Sequence, residues 1–124
     1  MQAALAVAVV FLTLFVVPVL IYGALSFVTG LQPPGENPSA FLTGVAVSKF
    51  GTALAFVGFW FLARDELAAQ LWSYVALWWV MFVLGEIGQA IGPDYSWTEA
   101  FGGVVSESIY LPVSGLILRW LLPA

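Results

Sequence analysis

Lys49, Glu86 and Glu107 each interrupt a long apolar stretch of the chain. An ammonium and two carboxyls are groups that anchor ions and exchange protons. A charge near a bilayer centre costs on the order of 2.5–3.5 kcal/mol on insertion scales, so such residues pair with one another or face a polar cavity. An ion pair between Lys49 and one glutamate leaves the other glutamate in need of a proton or another donor. Two carboxylates at one place do not both stay ionised. The sequence therefore predicts a buried ion pair inside a Lys49–Glu86–Glu107 group that holds one extra proton near neutral pH.

Of the 124 residues, 62% are hydrophobic and only 8% are charged, against about 25% charged in soluble domains. These values predict a single integral membrane domain over residues 1–124. The chain has no cysteine and no histidine. That excludes disulfides, thiolate chemistry, histidine ligation of haem and the usual zinc sites, and neither a metal nor a cofactor is expected. Only three Lys/Arg residues and a net charge of −4 exclude nucleic acid as a partner. The apolar run after Met1 is too long for a signal peptide and has no basic residue before it, so it is expected to be a spanning helix.

A spanning helix needs about 20 mostly apolar residues. Four stretches qualify, at about 3–28, 39–63, 67–91 and 98–122, and the expected fold is an all-α integral membrane four-helix bundle with both termini on one side. Gly30 is a helix stop. Asn37 before Pro38 reads as an N-cap with proline at the first helical position. Arg64-Asp65-Glu66 is a very short connection, which predicts antiparallel neighbours with Asp65 as N-cap. Gly92-Pro93 ends the third helix, and Ser96 with Glu99 reads as a capping box for the fourth. Arg64 and Arg119 share the side of the termini, so the positive-inside rule puts the termini in the cytoplasm; the expected location is the inner, or plasma, membrane of a bacterium. Trp60, Trp72 and Trp120 fall near that boundary, and Tyr95 and Trp97 near the opposite one, as two aromatic belts.

Counting along the helices at about 1.5 Å per residue puts Lys49, Glu86 and Glu107 roughly 9–15 Å below the outer boundary. Three separate segments thus place their buried charges in one layer. On the fourth helix Gly103, Glu107, Tyr110 and Ser114 share a stripe, and on the third Trp79, Phe82, Glu86 and Gln89 do. Gly44, Ser48, Gly51, Ala55 and Gly58 form a small-residue stripe on the second helix, a pattern that lets helices approach closely. Tyr22 on the first helix reaches the same layer. Tyr22, Gln89 and Tyr110 are expected to add hydrogen bonds to the charged group. Pro18 and Pro112 each remove one backbone hydrogen bond inside their helices.

The segments SKFGTALAFVGFWFLAR (48–64), GEIGQAIGPD (85–94) and SESIYLP (106–112) give the chain a layout that resembles small, uncharacterised bacterial four-helix membrane proteins of the DoxX-like kind, over about residues 40–118. In that group a basic residue precedes a small-residue stretch in helix two, a polar position recurs late in helix three, and a glutamate sits in helix four after a Gly-Asp/Pro turn. Lys49 stands where arginine is more usual, and Glu86 where a basic residue is. The resemblance implies the four-helix architecture and carries little function. Small multidrug transporters have a similar size but use a glutamate in their first helix, which here has no charge.

Three functions fit these residues. The first is binding of a small ligand or lipid head group, or handling of a proton, with Lys49 as anion anchor and the carboxyls as proton exchangers. The second is a structural accessory subunit, with other membrane subunits or further copies of the chain as partners beside the lipid bilayer. The third is an acid/base membrane enzyme, for which the chain lacks a nucleophile–base pair and a nucleotide-binding loop.

Overall fold

A computed structural model describes residues 1–32 and 37–123; the Pro33-Pro34-Gly35 part of the first connection and Glu36 lie outside the described residues. Every regular element in them is helical: α1 (Gln2–Thr29), α2 (Pro38–Leu67), a 3-10 turn (Ala68–Gln70), α3 (Leu71–Ile91) and α4 (Trp97–Leu121). The termini follow local chemistry. Gly30 closes α1 in the left-handed conformation, φ 75°, where glycine meets no Cβ penalty. The Asn37 side chain accepts from the Ala40 amide at 3.2 Å, with Pro38 next in the helix. Ser96 and Glu99 form the reciprocal capping box of α4 at 3.1 and 3.0 Å.

Three helical stretches are long and apolar enough to cross a membrane: Gln2–Thr29, Pro38–Ile91 and Trp97–Leu121, each containing an 18-residue segment with a mean hydropathy of 3.0, 1.6 and 1.4 respectively. The second has 54 residues, which as a straight helix would reach about 80 Å. It folds back instead. Ala63 leaves helical geometry at φ −119°, ψ 20°, and the 3-10 turn follows. The Tyr74 hydroxyl then donates to the Phe56 carbonyl, joining residues on the two limbs of the bend.

This bend corrects the expected connection. The apolar limb ends at Ala63 as the sequence suggests, but Asp65 lies inside helix and Gln70 caps α3. Arg64, Asp65 and Glu66 make one more helical turn rather than a loop, since nothing in their types breaks a helix.

The helix with the most buried residues is α4. It packs between α1 and α3, and α1 packs in turn against α2. Ala6, Val10, Leu14 and Pro18 of α1, spaced by four, are its buried ridge, the geometry in which one helix meets another. On α4 the buried line runs through Gly103, Glu107, Tyr110, Ser114 and Leu118.

Backbone contact between α2 and α3 is sparse, so the expected close neighbours meet through long aromatic side chains instead. Phe56 and Trp60 of α2 meet Tyr74 at ring-centroid distances of 5.2 and 5.6 Å, and Phe56 meets Trp78 at 5.4 Å. Such pairs contribute about 0.5–1.5 kcal/mol each beyond burial. Trp60 therefore lies in the core and not in a boundary belt: it is 2% exposed and donates its indole N–H to the Leu122 carbonyl at 2.9 Å. Trp72, Trp97 and Trp120 are exposed.

Candidate functional site

The site is built on the glycine pair of α4. A Cβ on Gly102 would fall 2.8 Å from Cε1 of Tyr22, and one on Gly103 would fall inside the Glu86 carboxyl group. The missing side chains let an α1 phenol ring and an α3 carboxylate lie directly on the α4 backbone. Glu107 follows one turn after Gly103 on the same face. It is only 4% exposed, and its carboxyl lies beside that of Glu86. Its Oε1 atom has no hydrogen-bond partner among the described residues.

Glu86 is better served. The Tyr95 hydroxyl, carried by the turn between α3 and α4, donates to its Oε2 at 2.6 Å. Tyr95 and Tyr22 hydroxyls are 3.3 Å apart, and Tyr22 donates to the Glu99 backbone carbonyl at 2.7 Å. Burial, and then the neighbouring Glu86 carboxylate, hold the Tyr95 phenol well above the usual range, so it stays protonated and remains a donor.

Lys49 takes a different partner from the one expected. Its ammonium donates to the Tyr110 hydroxyl at 3.2 Å and sits 4.8 Å from the ring centroid. It makes no salt bridge with Glu86 or Glu107; no salt bridge occurs among the described residues. The cause is the helix arrangement. Because α2 packs chiefly on α1, Lys49 reaches α4 only through its long side chain, and a phenol and an aromatic face satisfy the cation there. The buried ion pair is thus replaced by two separate parts on adjoining turns of α4: Lys49 on Tyr110, and Glu107 beside Glu86.

Of the six residues singled out by sequence, Lys49 and Tyr110 form one part, and Glu86, Glu107 and Tyr22 belong to the other. Gln89 belongs to neither. It is exposed, because three residues carry it about 60° round the helix from Glu86. The site uses α1 as well as α2, α3 and α4. Sequence reasoning missed Tyr95, read as a boundary aromatic, and Gly102. The signal for Tyr95 was its place in the turn that closes over Glu86.

The small-residue stripe of α2 behaves differently from expectation. A Cβ on Gly44, Gly51 or Gly58 would meet nothing within 4 Å, so among the described residues none packs closely on these glycines. Beside it runs an open groove of about 380 Å³ lined by Ala40, Phe41, Gly44, Val45, Ser48 and Lys49.

Comparison of the chain with known protein families, with characterised proteins and with solved structures finds no match. What the molecule supports directly is an all-helical protein with helices long and apolar enough to span a membrane.

Proposed function

We propose that the chain is a multi-pass membrane protein of four spanning helices, with cytoplasmic termini, whose Glu86–Glu107 carboxyl pair binds a proton in the outer half of the bilayer. The α2–α3 bend divides the 54-residue stretch into two limbs, each long enough for a crossing of about 30 Å, which supports the count of four. Lys49, held on Tyr110, acts as the anion anchor of the same layer.

The observation that carries this reading is the Glu107 carboxyl. A buried acceptor without a donor loses about 1–3 kcal/mol, and more when it is charged. Two carboxyls beside each other add mutual repulsion. One proton between them removes both costs. At 4% exposure the residue has little room for a larger ligand, whereas a proton needs none. The two glutamates and one lysine carry one excess negative charge, which one proton balances. No nucleophile–base pair accompanies them, so proton binding is favoured over an acid/base enzyme.

The test is infrared spectroscopy of the protein in lipid bilayers. Wild type is expected to show the C=O stretch of a protonated carboxyl at neutral pH, and Glu107→Gln and Glu86→Gln are each expected to remove it. A wild-type spectrum without that band rejects the reading.

A second reading, an accessory subunit of a larger membrane assembly, is favoured by one observation: the open small-residue face of α2. Faces of this kind seat another helix closely in lipid.

A further inference from the structure

We infer that the hydroxyls of Tyr95 and Tyr22 form the relay through which protons pass between the outer surface and the Glu86–Glu107 pair. The inference rests on the carboxyl pair being the proton site and assigns its route.

The geometry has the parts a relay requires. Glu86 Oε2 receives the Tyr95 hydroxyl at 2.6 Å, and the Tyr22 hydroxyl lies 3.3 Å beyond. Both phenols are half-buried, and Tyr95 lies in the turn between α3 and α4, so the linked hydroxyls lie at that end of the molecule. The Glu99 carbonyl, 2.7 Å from the Tyr22 oxygen and 3.4 Å from that of Tyr95, is an acceptor on which a hydroxyl hydrogen rests between transfers. A hydroxyl both donates and accepts, which a carboxylate or a carbonyl alone does not. The ring of Tyr22 is held over Gly102, and the acceptor Glu86 over Gly103, so consecutive glycines fix both ends of the path.

The transfer balances at each atom. Rotation about the Tyr22 C–O bond turns its hydrogen from the Glu99 carbonyl to the Tyr95 oxygen. The Tyr95 O–H bond then breaks as its proton passes to Glu86 Oε2, and Tyr95 regains a proton from Tyr22. A hydronium ion at the outer boundary gives its proton to the Tyr22 oxygen in the same step and is left as water. Release from the pair runs the same steps in reverse. Both hydroxyls exchange protons together, so no free phenolate is formed, in keeping with the strong hold of Tyr95 on its proton.

The experiment is the rate at which the protonated-carboxyl band of bilayer-embedded protein shifts after transfer to D2O. Tyr95→Phe keeps the ring and removes the hydroxyl, and it is expected to slow the exchange by about a hundredfold or more, the range that positioned proton-transfer groups contribute. Tyr22→Phe is expected to slow it as well and serves if the first variant folds poorly. Tyr74→Phe, whose hydroxyl binds the Phe56 carbonyl, is the control and leaves the rate unchanged. A purely structural role for Tyr95 predicts unchanged or faster exchange, since a loosened turn admits water, and that result overturns the relay. Absence of the band in wild type overturns the carboxyl-pair reading and the relay with it. A normal band with unaltered exchange in both phenylalanine variants overturns the relay alone.

Discussion

Glu86 lays its carboxylate on the bare backbone of Gly103, in space that a single methyl group would fill. A Gly103→Ala substitution forces either the carboxylate or the helix to move. Overpacking of this kind costs about 1–3 kcal/mol, so thermal unfolding in detergent should show a clear loss of stability. Gly85 and Gly88 of α3 provide the contrast, because a Cβ at either meets nothing within 4 Å. Alanine there should be neutral or stabilising by up to about 1 kcal/mol through helix propensity. Equal effects at all three glycines would contradict the packing of Glu86 on α4.

Tyr95 gives a pH dependence whose sign follows from its environment. Burial and Glu86 raise its proton affinity in the folded chain, while the unfolded phenol titrates near its ordinary value of about 10. Stability from this group is fully present below that pH and is lost as pH rises toward the folded value, because the unfolded state releases the proton first. Alkaline unfolding should therefore steepen above about pH 10, and Tyr95→Phe should remove about one proton's share of the slope. Chemical denaturation at a series of pH values measures this, and an unchanged slope in the variant contradicts the assignment.

How much of this was legible in the sequence depends on which coordinate is asked for. Position along each helix was legible. Asn37, Gly30 and the Ser96–Glu99 box act as local chemistry demands, and the apolar limb of α2 breaks at Ala63. Rotation of each helix about its own axis was not. A helix that is apolar all round carries no stripe that distinguishes its packed face from its outer face. This is why the stripe through Gly51 faces outward, why Gln89 lies off the site, and why Lys49 meets Tyr110 rather than a glutamate. Tyr95 read as a boundary aromatic because a turn residue is placed by the closing of two helices, which no periodicity records.

The open face of α2 yields a prediction that separates folding from association. Leucine at Gly51 meets no atom within 4 Å of its Cβ, so the stability of the isolated chain should change by less than about 0.5 kcal/mol, as at other surface positions. If α2 seats another helix, the same substitution blocks the close approach that small residues allow. Native mass spectrometry from mild detergent should then show an assembly in wild type that Gly51→Leu dissociates. An assembly that survives the substitution places the seam elsewhere.

Glu107→Leu distinguishes a proton site from a group that merely fixes helix packing. In a packing role, the carboxyl would hold α4 to its neighbours through hydrogen bonds or ion pairs, and breaking such a buried pair costs about 3–5 kcal/mol. Among the described residues Glu107 has no ion-pair partner: Lys49 is engaged by Tyr110, Oε1 is buried without a donor, and the neighbour left to it is the Glu86 carboxyl. Leucine removes the cost of burying the carboxyl and loses at most one shared-proton hydrogen bond to Glu86, which contributes about 0.5–1.5 kcal/mol net, so the two effects nearly offset each other. The expected outcome is thus a variant about as stable as wild type in thermal unfolding that has lost the protonated-carboxyl band. A loss of several kcal/mol would instead assign Glu107 a structural role, since only a satisfied partner in the folded bundle could produce it.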